Sequence, residues 1–70
     1  MGRDLKRSIT IRGHRTSLSL ENEFWEQLQA VAKSEAITVA ALISRIDGAR
    51  EDRNLSSAIR VYLLRKLQGH

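Results

Sequence analysis

A chain of 70 residues with a net charge of +4 makes one small domain, and a domain of this size buries too little apolar surface to be comfortably stable alone. The absence of cysteine excludes a disulfide framework and thiolate metal sites, while His14 and His70 lie far apart without companion ligand spacing. Oligomerisation is the remaining route to stability.

No apolar run approaches the roughly 18 residues of a membrane span, and the N-terminus is charged where a signal peptide needs its apolar core. A cytoplasmic protein with no membrane partner is expected. The charge is unevenly placed. Residues 1–20 set Arg3, Lys6, Arg7, Arg12 and Arg15 against Asp4 alone, whereas residues 21–36 set Glu21, Glu23, Glu26 and Glu35 against Lys33. Residues 37–54 balance, and Arg60, Arg65 and Lys66 make the remainder positive. Positive potential should therefore gather at the N-terminal stretch and the last helix.

Residues 1–6 lack periodicity and are expected to form a flexible basic arm, with the domain proper over residues 7–70. From Ser8 to Arg12, polar and apolar residues alternate with β-branched side chains, the pattern of a half-buried strand. Arg15 to Leu20 alternates again after Gly13-His14. A two-residue loop with glycine first suits a type II′ hairpin turn. Pairing about it puts Ile11 opposite Thr16 and Ile9 opposite Leu18, with the apolar sets on one face; one long bent strand is the alternative.

Glu21 begins a helical period, with Phe24, Leu28, Val31 and Ala32 on one stripe widened by Trp25 and acidic residues at the start where the helix dipole favours them. This helix should run to about Ser34. Thr38 is a good N-cap for a second helix over roughly Val39 to Ala49, striped by Val39, Leu42, Ile43, Ile46 and Ala49. A third begins near Asn54 to Ser57 and carries Ala58, Ile59, Val61, Tyr62, Leu63, Leu64 and Leu67. It is apolar around most of its circumference and should be buried from more than one side, which favours a dimer.

The chain has no P-loop, dinucleotide fingerprint, metal-ligand cluster or catalytic constellation. No enzyme and no cofactor are expected. The order strand, helix, short link, helix in a small basic chain is that of a β-ribbon DNA reader. The segment RTSLSLENEFWEQLQAVAKSEAITVAALISRI resembles the ribbon-helix-helix domain of the Arc and MetJ repressor superfamily. The wider run, with KRSITIRGHRTSLSLE, the Phe24-Trp25 pair and NLSSAIRV, resembles a bacterial subfamily of small ribbon-helix-helix proteins; the likeness covers about residues 6–68.

The resemblance implies an α+β ribbon-helix-helix fold, an N-terminal β-hairpin or strand followed by three helices, in an intertwined homodimer. One strand from each subunit would pair antiparallel and enter the major groove of double-stranded DNA. Carried over by position, the base-reading residues are Arg15, Ser17 and Ser19. Arginine can bond guanine bidentately, whereas serine discriminates little. The N-terminus of the second helix, Thr38 with the amides of Val39 and Ala40, would hold a phosphate, and Arg7 and Arg12 are further phosphate candidates. The implied dimer core is Leu18, Leu20, Phe24, Trp25, Leu42, Ile46, Tyr62 and Leu63.

Each assignment has a plainer counterpart. Ser17 and Ser19 also fit a solvated strand face, Thr38 an ordinary cap, and Arg60, Arg65 and Lys66 a solvated helix end. The main departure from the family pattern is the strand before Arg15. If both hairpin strands joined the dimer ribbon, the outer strand axes of four would lie about 14 Å apart, against a major groove about 12 Å wide. Either residues 7–12 peel away on binding, or the sheet sits across phosphates, or DNA is not the partner. The expected function is a homodimeric DNA-binding transcriptional regulator. The alternative is a dimerisation or protein-interaction module on the same scaffold, with a protein partner in place of DNA.

Overall fold

The computed structural model describes residues 4–69, with side chains from Lys6 onward. Its elements run in the order β1 (Asp4–Ile11), β2 (His14–Glu21), α1 (Asn22–Ser34), α2 (Val39–Ala49) and α3 (Leu55–Leu67). This is the α+β hairpin followed by three helices. Residues 1–3 of the expected arm lie outside the described residues, but Asp4 to Lys6 are not arm: they pair with Glu21 to Ser19 as the start of β1.

The two strands are antiparallel, with Ile11 across from His14, Ile9 from Thr16 and Arg7 from Leu18. The loop is therefore Arg12-Gly13, not Gly13-His14. Both loop residues have positive φ, 53° and 81°, which makes the turn type I′ rather than type II′. Its twist matches that of the flanking strands. Glycine takes the second position without cost, while Arg12 accepts a strained one.

Moving the loop by one residue slides the pairing by two. A slide of two keeps every side chain on its own face, so Ile9, Ile11, Leu18 and Leu20 still share one. Ile9 nevertheless meets Thr16 instead of Leu18, and the place opposite Leu18 goes to Arg7.

Local chemistry closes each helix. The α1 start at Glu21 lacks a side-chain cap, and Glu23 occupies the first turn. Its end is a Schellman motif: Ile37 N–H bonds Ala32 O at 3.0 Å and Ala36 N–H bonds Lys33 O at 3.1 Å, with Ala36 at φ 57° where glycine is usual. Thr38 Oγ1 accepts from Ala41 N–H at 3.0 Å to start α2, and Asn54 Oδ1 accepts from Ser57 N–H at 2.8 Å to start α3.

The core joins Ile11, Leu18 and Leu20 of the hairpin to Leu28 and Ala32 of α1, Leu42, Ile43 and Ile46 of α2, and Ala58, Ile59 and Leu63 of α3. No polar residue is buried among the described residues. Around the rim, Glu35 just past α1 takes Arg45 of α2 at 2.8 Å and Lys66 of α3 at 3.0 Å. The Lys66 and Arg45 hydrogen bonds hold the Glu35 carboxyl below its ordinary pKa, and Glu35 holds Lys66 above its own. Helix α3 is only partly covered: Ala58, Ile59 and Leu63 enter the core, but Leu64 is 52% and Leu67 82% exposed.

Candidate nucleic-acid interface

Strand alternation sorts the hairpin into two unlike faces. The face turned from the helices carries Lys6, Ser8 and Thr10 on β1 and Arg15, Ser17 and Ser19 on β2, paired Lys6 with Ser19, Ser8 with Ser17 and Thr10 with Arg15. All are exposed except Ser19, which is half-buried. The structure thus brings Arg15, Ser17 and Ser19 together, as the alternation predicts. It also places beside them Lys6, Ser8 and Thr10, none of which is among the site residues expected from the sequence. The signal for these three was the parity of β1, legible once that strand is fixed as the hairpin partner of β2.

Among the described residues the Arg15 guanidinium makes no hydrogen bond or ion pair. The other two hairpin arginines are engaged. Arg7 lies on the helix-facing side, half-buried, with its guanidinium 4.3 Å from the centre of the Trp25 ring and Nη2 donating to Asn22 Oδ1 at 3.2 Å. Asn22 is fixed in turn by its bond to Glu26 at 3.1 Å. The Arg7 Nε is buried without a hydrogen-bond partner, so the stack on Trp25 and the single bond to Asn22 hold this cation. Arg12 reaches from the turn to α2, with Nε 3.4 Å from Ser44 Oγ and Nη2 3.5 Å from Ser44 O. It lies flat because residue 48 is glycine: a Cβ there would come 2.6 Å from Nη2.

Of the four expected phosphate contacts, Arg7 and Arg12 are therefore turned to the chain's own helices. Thr38 and Val39 remain at the α2 N-terminus, about 9 Å along the helix from Ser44. The Thr38 hydroxyl is committed to its cap.

Among the described residues the sheet has two strands, which leaves the second edge of β2 without a strand beside it. In a two-residue hairpin the pair beside the turn is hydrogen-bonded, so His14, Thr16, Leu18 and Leu20 bond β1, while Arg15, Ser17 and Ser19 turn their backbone groups outward. The Ser19 carbonyl accepts from the Ser56 hydroxyl at 2.6 Å. Beyond it Arg60 Nε donates to Glu21 Oε1 at 2.8 Å. These two bonds dock the first half of α3 against the end of the strand and leave the edge open toward the turn, where it borders a polar groove walled by Asp47, Arg50 and Asn54.

Of the residues expected in a dimer core, Leu18, Leu20, Leu42, Ile46 and Leu63 are already buried within the single chain, and Phe24, Trp25 and Tyr62 are half-buried. An open apolar groove runs between α1 and α3, lined by Phe24, Val31, Leu63, Leu64 and Leu67. No helix among the described residues is long and apolar enough to cross a membrane, and no group of three or more metal-ligating side chains occurs among them.

Comparison with family models matches residues 5–67 to the ribbon-helix-helix domain. Neither the curated proteins nor the solved structures give a match.

Proposed function

The chain belongs to the ribbon-helix-helix domain family, and on that premise we propose that it is a homodimer that binds double-stranded DNA and regulates transcription, in the cytoplasm of a bacterial cell. Members of the family are typically DNA-binding regulators that dimerise and are generally non-catalytic. The observation that carries the reading is the polar face of β2: Arg15, Ser17 and Ser19 point the same way, and the Arg15 guanidinium makes no hydrogen bond or ion pair among the described residues.

In this reading the outward backbone groups at Arg15 and Ser17, on the open part of the β2 edge, pair with those of a second copy across a two-fold axis, and the joined polar faces meet the major groove. Arg15 supplies the discriminating contact, because a fixed fork of donors fits guanine O6 and N7. Ser17 and Ser19 supply adaptable bonds, direct or through water. The free amides at the start of α2, at Val39 and Ala40, suit a phosphate, where the helix dipole adds to their hydrogen bonds. Arg7 and Arg12 are left out of the DNA contacts because they hold the hairpin to α1 and α2.

The test is an anisotropy titration of the full chain against random duplex DNA at low salt, beside Arg15→Ala. Wild type should bind with a steep salt dependence, and Arg15→Ala should bind more weakly with altered preference among sequences. Absence of salt-sensitive binding by wild type would remove the DNA reading. One observation favours a second reading, a protein-interaction module: the apolar groove between α1 and α3, with Leu64 and Leu67 exposed, offers a surface that DNA binding does not use.

A further inference from the structure

A single-strand ribbon would enter the groove alone, but here β1 is built into the domain. Ile11 is buried and Ile9 packs on the core, Arg7 is stacked on Trp25 of α1, and Arg12 is laid over Gly48 against Ser44 of α2. Two arginines thus pin the hairpin, Arg7 of β1 to α1 and Arg12 of the turn to α2, while two isoleucines anchor the strand between them. Releasing β1 would expose both isoleucines and break both attachments together with the hairpin ladder.

We infer that β1 stays in the sheet when the protein binds DNA, and that Lys6, Ser8 and Thr10 form a phosphate-contacting row outside the base-reading row of Arg15, Ser17 and Ser19. The inference rests on the DNA reading above. Its geometry follows from strand spacing. In a sheet ordered β1, β2, then the second copy's β2 and β1, neighbouring axes lie about 4.8 Å apart. The two β2 axes therefore fall about 2.4 Å from the two-fold axis and the two β1 axes about 7.2 Å from it.

The half-width of the major groove is about 6 Å. The β2 rows consequently lie over the groove and the β1 rows over its sugar-phosphate walls. The side chains that the register places over those walls suit phosphate, with an ammonium at Lys6 and hydroxyl donors at Ser8 and Thr10, all exposed and all on the same face as Arg15. The walls also limit penetration. Short hydroxyl side chains resting on phosphate hold the sheet at the groove mouth, with base edges up to about 8.5 Å below. Arg15 is the longest donor on the face and the one suited to span that depth, while Ser17 and Ser19 act through bridging water.

The experiment measures binding of the intact protein to random duplex DNA as a function of salt, for wild type, Lys6→Ala and the Ser8→Ala/Thr10→Ala double variant, and follows amide hydrogen exchange of Arg7, Ile9 and Ile11 with and without DNA. Each phosphate contact contributes about 0.9 to the salt slope. Two copies of Lys6 per dimer make the slope of Lys6→Ala shallower by about 1.8, so the affinity lost between about 50 and 200 mM salt shrinks about twelvefold relative to wild type. The double variant binds more weakly at every salt concentration with its slope unchanged, and the β1 amides keep their protection in the complex.

If wild type binds but Lys6→Ala keeps the wild-type slope, or if β1 amides exchange faster on DNA, the phosphate row is wrong and the DNA reading survives. If wild type shows no salt-sensitive binding, the DNA reading itself fails and this inference goes with it.

Discussion

Arg7 and Arg15 are the same side chain on adjacent strands of one hairpin, and their surroundings are opposite. Arg7 stands across from Leu18 on the helix-facing side, stacked on Trp25 and bonded to Asn22. Arg15 stands across from Thr10 on the outer side, exposed and with no ion pair or hydrogen bond among the described residues. Charge alone does not mark a functional arginine. The face of the strand decides whether the cation is used inside the molecule, where it fastens an element, or is left available to an anionic partner.

The largest test of this division sets the two faces against each other. Leu18 is 2% exposed, so Leu18→Ala should cost about 2–5 kcal/mol in urea unfolding, while its neighbour Ser17→Ala should stay within about 0.5 kcal/mol of wild type. Comparable losses at the two positions would mean that the outer face is covered in solution.

The arginine pair comes next. Arg7→Ala removes a partly buried stack and a hydrogen bond and should cost about 1 kcal/mol, whereas Arg15→Ala should leave stability within about 0.5 kcal/mol and show its effect in DNA titration. Equal destabilisation by both substitutions would break the comparison.

Arg12 at the turn gives a finer measurement. Gly48→Ala gains about 0.5–1 kcal/mol of helix propensity, but in wild type its Cβ displaces the Arg12 guanidinium, 2.6 Å away. In an Arg12→Ala background the gain should be complete. A double-mutant cycle should therefore show coupling of about 0.5 kcal/mol; strict additivity would mean that Arg12 does not rest on α2.

The smallest effect lies off the hairpin, where Glu35 joins Arg45 and Lys66 at the surface. The folded-state pKa of Glu35 is lowered, so its contribution is complete above its ordinary value of 4.5 and fades as pH falls through the lowered one. Lys66 is raised, so its contribution is complete below 10.5 and fades as pH rises past the raised value. Glu35→Gln should flatten both limbs of a stability-pH curve. An unchanged acid limb would place the titrating carboxylate elsewhere.

Much of this architecture was legible in the residues. The alternation through Ile9, Ile11, Leu18 and Leu20 predicts two half-buried extended segments and their buried face, because a period of two assigns faces whatever the pairing. Thr38 and the polar run ending at Asn54 announced the starts of α2 and α3, because a cap is made within three residues of itself. Arg15, Ser17 and Ser19 fell on one face by the same parity. The β1 row was less legible: Lys6 sat in what looked like an arm, and it became part of the face only once β1 was seen to run back to Asp4.

The sequence by itself thus determined which residues alternate, where α2 is capped, roughly where α3 begins and which side chains share a strand face, all consequences of local period and local donors. The tertiary structure decided the rest. Registers that differ by two residues preserve the same faces, so the apolar pattern cannot choose between turns at Gly13-His14 and Arg12-Gly13. The choice is bound up with contacts remote in the chain, Arg12 with Ser44 and Gly48, and Arg7 with Trp25. A positive residue in a basic segment reads as solvent-facing until an aromatic ring from α1 is folded over its strand. That packing separates Arg7, which holds the hairpin to α1, from Arg15, which stays exposed on the outer face.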